Sequence, residues 1–357
     1  MKLLDKDYKR IVVKIGSSIL FAHEANLECF SYPMNEIVAH VSTLIEGGKE
    51  MVIVSSGAIA AGMTVLKMKS RPKELSSLQA TAAVGQHLLM SQYSHFFEKK
   101  GLNCAQVLLT WEDFADRKRY LNAKNTLITL LKLKCVPIIN ENDTVSTDEI
   151  KFGDNDRLSA LVATLINADL LIILSDVDGL LDQAKLVVKV VPEINTQIKE
   201  LARPTNKKAC VGGMITKIEA AKIAMDSGVP CVIANGRRKD IISSTIENPG
   251  ESGTLFVPKK GYLSARERWI AFGTKPKGKI IVDEGAKKAL LNKKSLLSVG
   301  IVGLAGDFQA GDIVSVQDLQ GNEFARGKVG ISSKQLGKVK GSHFDKEVVH
   351  RDNIVIL

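Results

Sequence analysis

The chain has 357 residues, of which 45% are hydrophobic and 25% charged, and its formal net charge is +10. These are ordinary globular values, which argue against a disordered chain, a collagen or a coiled coil, and the length fits about two domains. Because the chain has no apolar run near the ~18 residues of a membrane helix, no signal peptide at its start and neither C-x-x-C nor H-E-x-x-H, we expect a cytosolic protein without a membrane segment or a zinc motif of these kinds.

From residue 10 to about residue 256, short apolar runs alternate with helical patterns. Strands are predicted at residues 11–15, 51–55, 105–109, 136–140, 170–174 and 231–234. Several of these runs are continuously apolar, which is typical of strands buried on both faces. Between the strands lie amphipathic patterns such as residues 156–167, whose apolar positions form one helix face. The alternation predicts an α/β fold with an open, mostly parallel sheet sandwiched by helices.

The pattern changes after Phe256. Residues 259–278 are predicted as a linker, and residues 279–357 hold short alternating strands, glycine-rich turns and one helix at 285–291. This predicts a small C-terminal β-barrel domain after a first domain of residues 1–258. Residues 261–357 contain 16 lysines and arginines against 10 acidic residues, a net charge of +6. Such an excess is more often a solvated face than a nucleic-acid site, and RNA contact is left open.

The best-known phosphate-binding motifs are absent. The sequence contains no P-loop, and no G-x-G-x-x-G follows a predicted strand. Instead, lysines, hydroxyls and glycines follow several strands. Ligands of open α/β sheets bind at that edge, so these turns are the candidate site.

The first predicted strand carries Lys14 near its end, and a turn at Gly16 follows. A lysine there places an ammonium beside free backbone N–H groups, although it could also simply leave the sheet edge. After the second strand, Ser56 and Gly57 open a run of small residues that ends at Gly62. Small residues let the backbone approach a ligand, and amides at a helix start can cradle an anion, but such turns are common.

Two later loops hold a dense polar cluster, at residues 140–143 and 153–156. Acidic residues before a helix are often only caps, but four carboxylates near one edge repel each other unless cations or lysines lie among them. The turn at 175–179 could bond a nucleotide or be a plain turn. Residues 212–217 suit a polyphosphate because they combine paired glycines, a helix start and Lys217, with Thr216 and Glu219 as a predicted capping box.

Two lysines and several carboxylates therefore converge on one sheet edge, without a histidine or cysteine nucleophile. Phosphoryl transfer suits this set, because it depends on positioning and charge neutralisation more than on covalent help.

Taken in order, these motifs resemble the glutamate 5-kinases, a branch of the amino acid kinase family with a C-terminal PUA domain. The resemblance covers nearly the whole chain, at residues 13–18, 55–62, 83–86, 121–123, 139–143, 153–156, 212–214, 253–256 and 282–286. It implies the amino acid kinase fold with a PUA-like domain. It also implies ATP-dependent phosphorylation of the side-chain carboxylate of L-glutamate to γ-glutamyl phosphate, the first step of proline biosynthesis.

The resemblance also implies residue roles. Lys14 and Lys217 would stabilise charge on the transferring phosphoryl group, and Asp156, the third catalytic residue, would hold both lysines. The implied glutamate-binding residues are Ser56, Gly57, Asn140, Asp143 and Asn155. The implied ATP-binding residues are Lys14, Gly16, Ser175, Asp176, Val211, Gly212, Gly213, Met214, Thr216 and Lys217.

The implied cofactors are ATP and Mg²⁺, with the metal held mainly by the ATP phosphates and no protein ligand assigned. The implied partners are L-glutamate, proline as a feedback inhibitor, further copies of the chain in a dimer or tetramer, and a glutamate-5-semialdehyde dehydrogenase. The chain departs from the family pattern in a short loop at 181–185 and in Cys210 and Val211 before the paired glycines.

Two alternatives stay open. One is another amino acid kinase, acting on N-acetylglutamate or uridylate. The other is an RNA-binding protein that acts through its PUA domain, although aromatic residues for base stacking make up only 5% of the chain.

Overall fold

The computed structural model describes residues 7–21, 27–146, 155–202, 213–259 and 261–357, with only the backbone described for residues 27–32 and 265. The chain divides into two compact units. The first comprises residues 1–113 and 118–262, and the second comprises residues 114–117 and 263–357. None of the helices in the described residues is both long enough and apolar enough to cross a membrane.

An eight-stranded sheet forms the centre of the first unit, in the order β3-β4-β2-β1-β5-β7-β8-β6. The strands are β1 (Arg10–Ile15), β2 (Glu50–Ser55), β3 (Asn103–Leu109), β4 (Cys135–Glu141), β5 (Leu170–Ser175), β6 (Val190–Val191), β7 (Cys231–Asn235) and β8 (Gly253–Phe256). Every pairing is parallel except that of β7 with β8. The predicted mostly parallel sheet is confirmed, and β6 and β8 are the strands that the sequence patterns did not reveal.

Helices follow or precede these strands along the chain. They are α1 (Ser17–Leu20), α2 (Leu27–Glu46), α3 (Ala58–Val65), α4 (Leu75–Glu98), α5 (Trp111–Ala115), α6 (Arg117–Lys132), α7 (Asn155–Leu165), α8 (Thr196–Leu201), α9 (Met214–Asp226) and α10 (Ile241–Glu247). Successive side chains of β1 point to opposite faces of the sheet, so Ile11, Val13 and Ile15 lie in the core beneath α2 and α4. Lys14 therefore belongs to the opposite face, where α7 packs on β1.

Helices α3 and α4 approach each other so closely that glycine is required at their contact. A Cβ on Gly85 would lie 1.8 Å from the carbonyl oxygen of Ala58, and one on Gly62 would lie 1.9 Å from that of Thr81. The contact fixes the N-terminus of α3, which follows Ser56 and Gly57, against the middle of α4. It thus sets the position of Gln86, the residue after Gly85.

The short loop at 181–185 is closed by its own hydrogen bonds. Leu181 pairs with Val187 in an antiparallel bridge, and the Asp182 carboxylate accepts from the Leu186 amide at 2.9 Å. Lys185 completes the turn with a φ of 61°. The loop that departs from the family pattern is thus a tight hairpin turn.

The second unit contains a five-stranded sheet in the order β10-β9-β11-β12-β13. Its strands are β9 (Gly278–Val282), β10 (Ile301–Ala305), β11 (Ile313–Gln317), β12 (Glu323–Lys328) and β13 (Ile354–Ile356), and its helices are α11 (Ala265–Arg268), α12 (Glu284–Leu291) and α13 (Ser333–Val339). A separate core includes Ile280, Phe308, Val314 and Leu336. Residues 259–278, predicted as a linker, contain α11 and a π-helical turn (Trp269–Gly273) with Ile270 buried.

Candidate active site

A buried carboxylate bridges two lysines at the carboxyl edge of the first sheet. Lys14 lies near the end of β1, Asp156 in the first turn of α7 and Lys217 in the first turn of α9. The Lys14 Nζ lies 2.5 Å from Asp156 Oδ1, and the Lys217 Nζ lies 3.2 Å from Asp156 Oδ2. The three residues are only 6%, 1% and 6% exposed. A charge cluster this well buried is stable only when its members are paired, as they are here.

The two lysines of this cluster keep Asp156 ionised. Burial alone would raise the pKa of Asp156, but the charges and hydrogen bonds of Lys14 and Lys217 outweigh it and hold the pKa below its usual value. Asp156 is therefore a carboxylate at neutral pH and cannot serve there as a general acid. Two ammonium groups against one carboxylate leave a surplus positive charge, which favours an anion at this edge.

The N-terminus of α9 adds backbone donors beside this charge. The first amides of this 13-residue helix lack intrahelical partners, as in any α-helix, and the N-cap residue Gly213 provides no side-chain cap for them. The predicted capping box is wrong, since Thr216 lies inside α9, where its hydroxyl donates to the Gly213 carbonyl at 2.9 Å. The same hydroxyl lies 3.2 Å from Asp156 Oδ2. Val211 and Gly212, predicted as nucleotide contacts, lie outside the described residues.

The neighbours of β1 separate the predicted site residues into two groups. Strand β5 pairs with β1 on one side and ends at the buried Ser175, which is followed by the exposed Asp176. Gly16 follows β1, and its amide donates to the Leu174 carbonyl of β5. A Cβ added to Gly16 would lie 3.8 Å from the Lys14 Nζ. With Met214 at the start of α9, these residues form the group predicted for ATP.

On its other side β1 pairs with β2, which leads into Ser56 and Gly57. Asn155 Nδ2 donates to Ser56 Oγ at 3.0 Å and to Asn140 Oδ1 at 2.8 Å. Gly57 has a φ of +107° and faces the Phe21 ring, which would meet any Cβ at 2.5 Å. Asp143 is half-buried in the turn after β4. These residues form the group predicted for glutamate, so Lys14 lies between the two groups.

One polar residue at this site was not assigned a role from the sequence. Gln86 is 9% exposed, and its Oε1 accepts from Asn140 Nδ2 at 2.8 Å. The motif at 83–86 contributed to the resemblance, but a glutamine in the middle of a helix has no spacing that indicates a role. Its position depends on the contact between α3 and α4, which no local pattern shows.

The described residues contain no group of three or more His, Cys, Asp or Glu side chains that could hold a metal ion. The buried Lys14–Asp156–Lys217 cluster consists instead of two lysines and one shared carboxylate. Their surplus charge is positive, so they suit an anionic ligand better than a free cation.

Similarity to known proteins covers both units. Residues 9–235 match the model of the amino acid kinase family, and residues 278–350 match that of the PUA domain. A glutamate 5-kinase from Caldanaerobacter subterraneus subsp. tengcongensis is 48% identical over 371 residues, and one from Thermoanaerobacter sp. is 46% identical over 370 residues. Each alignment covers 98% of both chains.

Two solved structures share the fold at low identity. A carbamate kinase from Giardia is similar with a TM-score of 0.51 at 16% identity, covering 71% of this chain and 100% of the other. An N-acetylglutamate synthase from Neisseria gonorrhoeae is similar with a TM-score of 0.52 at 14% identity, covering 72% of this chain and 61% of the other. At these identities the similarities show the fold alone.

Proposed function

The chain belongs to the amino acid kinase family, in its glutamate 5-kinase branch, and on that premise we propose that it transfers the γ-phosphate of ATP to the side-chain carboxylate of L-glutamate. The product is γ-glutamyl phosphate, which opens the route to proline. The observation that carries this proposal is the buried Lys14–Asp156–Lys217 cluster, which has one polar group of residues on each side.

The transfer needs positioning and charge neutralisation but no general base. A glutamate carboxylate is ionised at neutral pH, so one of its oxygens can attack the γ-phosphorus directly. The new O–P bond forms as the bond to the ADP oxygen breaks, and the electron pair leaves with ADP. Lys14 and Lys217 stabilise the charge on the phosphoryl oxygens, while Asp156 holds both ammonium groups in place.

The nucleotide is assigned to the side of β5 and α9. Gly16, Ser175 and Asp176 would hold it at the strand ends, and the amides of Gly213 and Met214, with Thr216, would face its phosphates, while Val211 and Gly212 stay predicted contacts. A Mg²⁺ ion bound to those phosphates would neutralise part of their charge, and it is held by the nucleotide in this proposal. The family usually has a threonine before the paired glycines, where this chain has Val211. We expect the nucleotide to bind there through the backbone and not through a side-chain hydroxyl.

L-Glutamate is assigned to the side of β2 and β4. Ser56, Gly57, Asn140 and Asn155 would orient it with its side chain toward Lys14. Asp143 would pair with the α-ammonium group, because a carboxylate accepts from that group and also balances its charge. This arrangement directs the side-chain carboxylate toward the nucleotide.

The decisive experiment measures γ-glutamyl hydroxamate formed from ATP, Mg²⁺, L-glutamate and hydroxylamine, together with ADP release. We expect both products with L-glutamate and neither without an acceptor. N-Acetylglutamate and UMP serve as competing acceptors in parallel reactions. ADP release with either of them, and none with L-glutamate, would replace the proposal with the other amino acid kinase activity.

The finer regulatory and partner assignments extend the same proposal. Proline added to the hydroxamate assay should lower product formation if it is a feedback inhibitor. Sedimentation of the purified chain should show a dimer or a tetramer. Because the product is an acyl phosphate, the partner that consumes it would be a reductase of the glutamate-5-semialdehyde dehydrogenase kind, and co-purification of the two enzymes tests whether they associate.

RNA contact is a second candidate function, favoured by one feature of the second unit. A cavity of about 410 Å³ there is lined by Lys275, Lys277, Lys279 and Arg326 among other residues, with Glu323 paired to Arg326 at 2.8 Å. Cations grouped in this way suit a phosphate backbone. Fluorescence anisotropy of a single-stranded RNA with the full chain tests it: affinity that falls steeply with salt supports RNA contact, and the absence of binding at low salt excludes it.

A further inference from the structure

A chain of three side-chain amides runs from α4 to α7 beside the proposed glutamate site. Asn140 Nδ2 donates to Gln86 Oε1, and Asn155 Nδ2 donates to Asn140 Oδ1, both at 2.8 Å. The three residues are 9%, 2% and 8% exposed in the order Gln86, Asn140 and Asn155. The function proposed above gives Gln86 no task, although it forms one end of this chain.

Backbone groups fix the direction of these hydrogen bonds. The Glu141 amide donates to Asn140 Oδ1 at 2.9 Å, and a backbone N–H can only donate, so the oxygen of Asn140 must lie on that side. The NH₂ group of Asn140 consequently faces Gln86, which must present its oxygen. At the other end, Asn155 Nδ2 donates to the Ser55 carbonyl at 3.0 Å, and a carbonyl can only accept.

This direction leaves one unused polar atom at each end. Asn155 Nδ2 serves Ser55, Ser56 and Asn140, whereas Asn155 Oδ1 accepts no hydrogen bond from the residues that the structure describes. Gln86 Nε2 is buried and likewise has no partner within the described ranges. Leaving a buried donor unpaired costs folding stability, so the orientation of Gln86 is set by Asn140 rather than by its own best bonding.

We propose that Gln86 is a positioning residue for substrate recognition. The Glu141 amide and the Ser55 carbonyl set which way the Asn140 and Asn155 amides face, and Gln86 holds the Asn140 amide in place, so that Asn155 Oδ1 lies where it can accept from the α-ammonium group of L-glutamate. An ammonium group has donors and no acceptor, so displacement of the Asn155 acceptor oxygen would weaken binding. This inference rests on the proposed function. It makes the preference for a substrate with a free amino group depend on Gln86, whose Oε1 bonds Asn140 and not the substrate.

The test compares Gln86→Met with the wild-type full chain, using ADP release to obtain kcat and KM for each substrate. Methionine fills similar space and removes the acceptor for Asn140. We expect KM for L-glutamate to rise about tenfold, as for one lost hydrogen bond, with KM for ATP and kcat within about threefold. Gln106→Met, at an exposed position on β3, is the control and should match the wild type.

Two further measurements separate positioning from a general packing defect. Wild-type enzyme should prefer L-glutamate over glutarate, which lacks the amino group, and Gln86→Met should lose part of that preference, since the assigned pairing with Asp143 is retained. Gln86→Glu keeps an acceptor for Asn140 and should retain it, which also covers the case that the methionine variant fails to fold. In a double-mutant cycle on KM for glutamate, Gln86→Met should add little to Asn155→Ala, since both act through one amide.

The outcomes distinguish this inference from the function on which it rests. If the wild type does not phosphorylate L-glutamate, the proposed function fails. If the wild type is active but Gln86→Met keeps its KM for glutamate and its preference over glutarate, only the role of Gln86 is overturned. Effects of Gln86→Met and Asn155→Ala that simply add would also overturn it.

Discussion

Asp156 shows how one buried residue can organise two others that the sequence keeps far apart. Its carboxylate bonds Lys14 through one oxygen and Lys217 through the other, across separations of more than 60 residues to Lys217 and more than 140 to Lys14. Burying either lysine without a partner would destabilise the folded protein, and the shared carboxylate offsets that cost. The remaining positive charge is held in place before any phosphate arrives, as electrostatic preorganisation requires.

Replacing Lys217 by alanine should lower kcat by at least ~100-fold, because a charge that stabilises the transferring phosphoryl group is lost. KM for L-glutamate should change little, since that substrate is assigned to the other side of Lys14. Steady-state ADP release at saturating substrate measures the effect. Lys222→Ala is the matched control on the same helix, where Lys222 pairs with Asp226 at 2.9 Å, and it should retain activity. Near-normal turnover of the Lys217 variant would contradict the role of that lysine.

The buried Tyr93, which contacts Ser55 at the end of β2, should make the folding stability of the protein depend on pH. Its hydroxyl lies 3.0 Å from Ser55 Oγ, and burial raises the pKa of the phenol well above its usual value of 10.0. A raised pKa in the folded state stabilises the protein below pH 10, and this contribution is lost as the pH rises above the pKa of the unfolded chain. Wild-type stability should therefore fall by about 1.4 kcal/mol per pH unit in that range from this residue alone.

Tyr93→Phe should lack this alkaline loss. At pH 7 the variant should be less stable by about 1 kcal/mol, because the hydrogen bond to Ser55 is gone. The difference should shrink above pH 10 and then change sign. Urea unfolding of both proteins between pH 7 and pH 11 measures it, and a difference that stays constant over that range would exclude Tyr93 as the group responsible.

At the scale of elements, the sequence predicts what repeats or alternates and misses what depends on contacts. Short, mostly apolar runs identified the strands from β1 to β5 and β7, and the apolar face of 156–167 identified α7. Strand β8 begins with Gly253 and Thr254, so it carried no such run, and it forms because β7 and β6 pair with it. The lysines of the site were visible as strand and helix ends, but their shared bond to Asp156 required the fold.

The contact between α3 and α4 gives the clearest test at this scale. Gly85→Ala would place a Cβ 1.8 Å from the Ala58 carbonyl oxygen and 2.3 Å from the Gly62 nitrogen, so one helix must shift. We expect a loss of about 1–3 kcal/mol in unfolding free energy, the usual cost of overpacking a core. Urea unfolding of the first unit measures this loss in unfolding free energy. The transition of the second unit serves as an internal reference.

The matched substitution is Gly337→Ala, in the helix α13 of the second unit. A Cβ at that position meets nothing within 4 Å. Alanine should therefore stabilise the second unit by about 0.5–1 kcal/mol, because glycine is a poor residue inside a helix. If Gly85→Ala were as harmless as Gly337→Ala, the close packing of α3 on α4 would not hold in solution.

At the scale of the whole molecule, the change of pattern after Phe256 predicted two domains, and the chain does divide into two compact units. The boundaries predicted at residues 258 and 279 remain a prediction. The sequence could reveal the division because the two parts have different patterns. Apolar runs alternate with helical patterns before Phe256, whereas short alternating strands and glycine-rich turns follow it. It could not reveal that residues 269–273 form a buried π-helical turn, since that depends on packing within the second unit.

The division also predicts where activity resides. Each unit has its own hydrophobic core, and every proposed catalytic and substrate-binding residue belongs to the first. A chain ending at Tyr262 should therefore fold and form γ-glutamyl hydroxamate at a rate within about tenfold of the full chain, because the charges that stabilise the transition state are all retained. Circular dichroism and gel filtration check that the truncated chain is folded. If it is folded and inactive while the full chain is active, the second unit contributes directly to phosphoryl transfer.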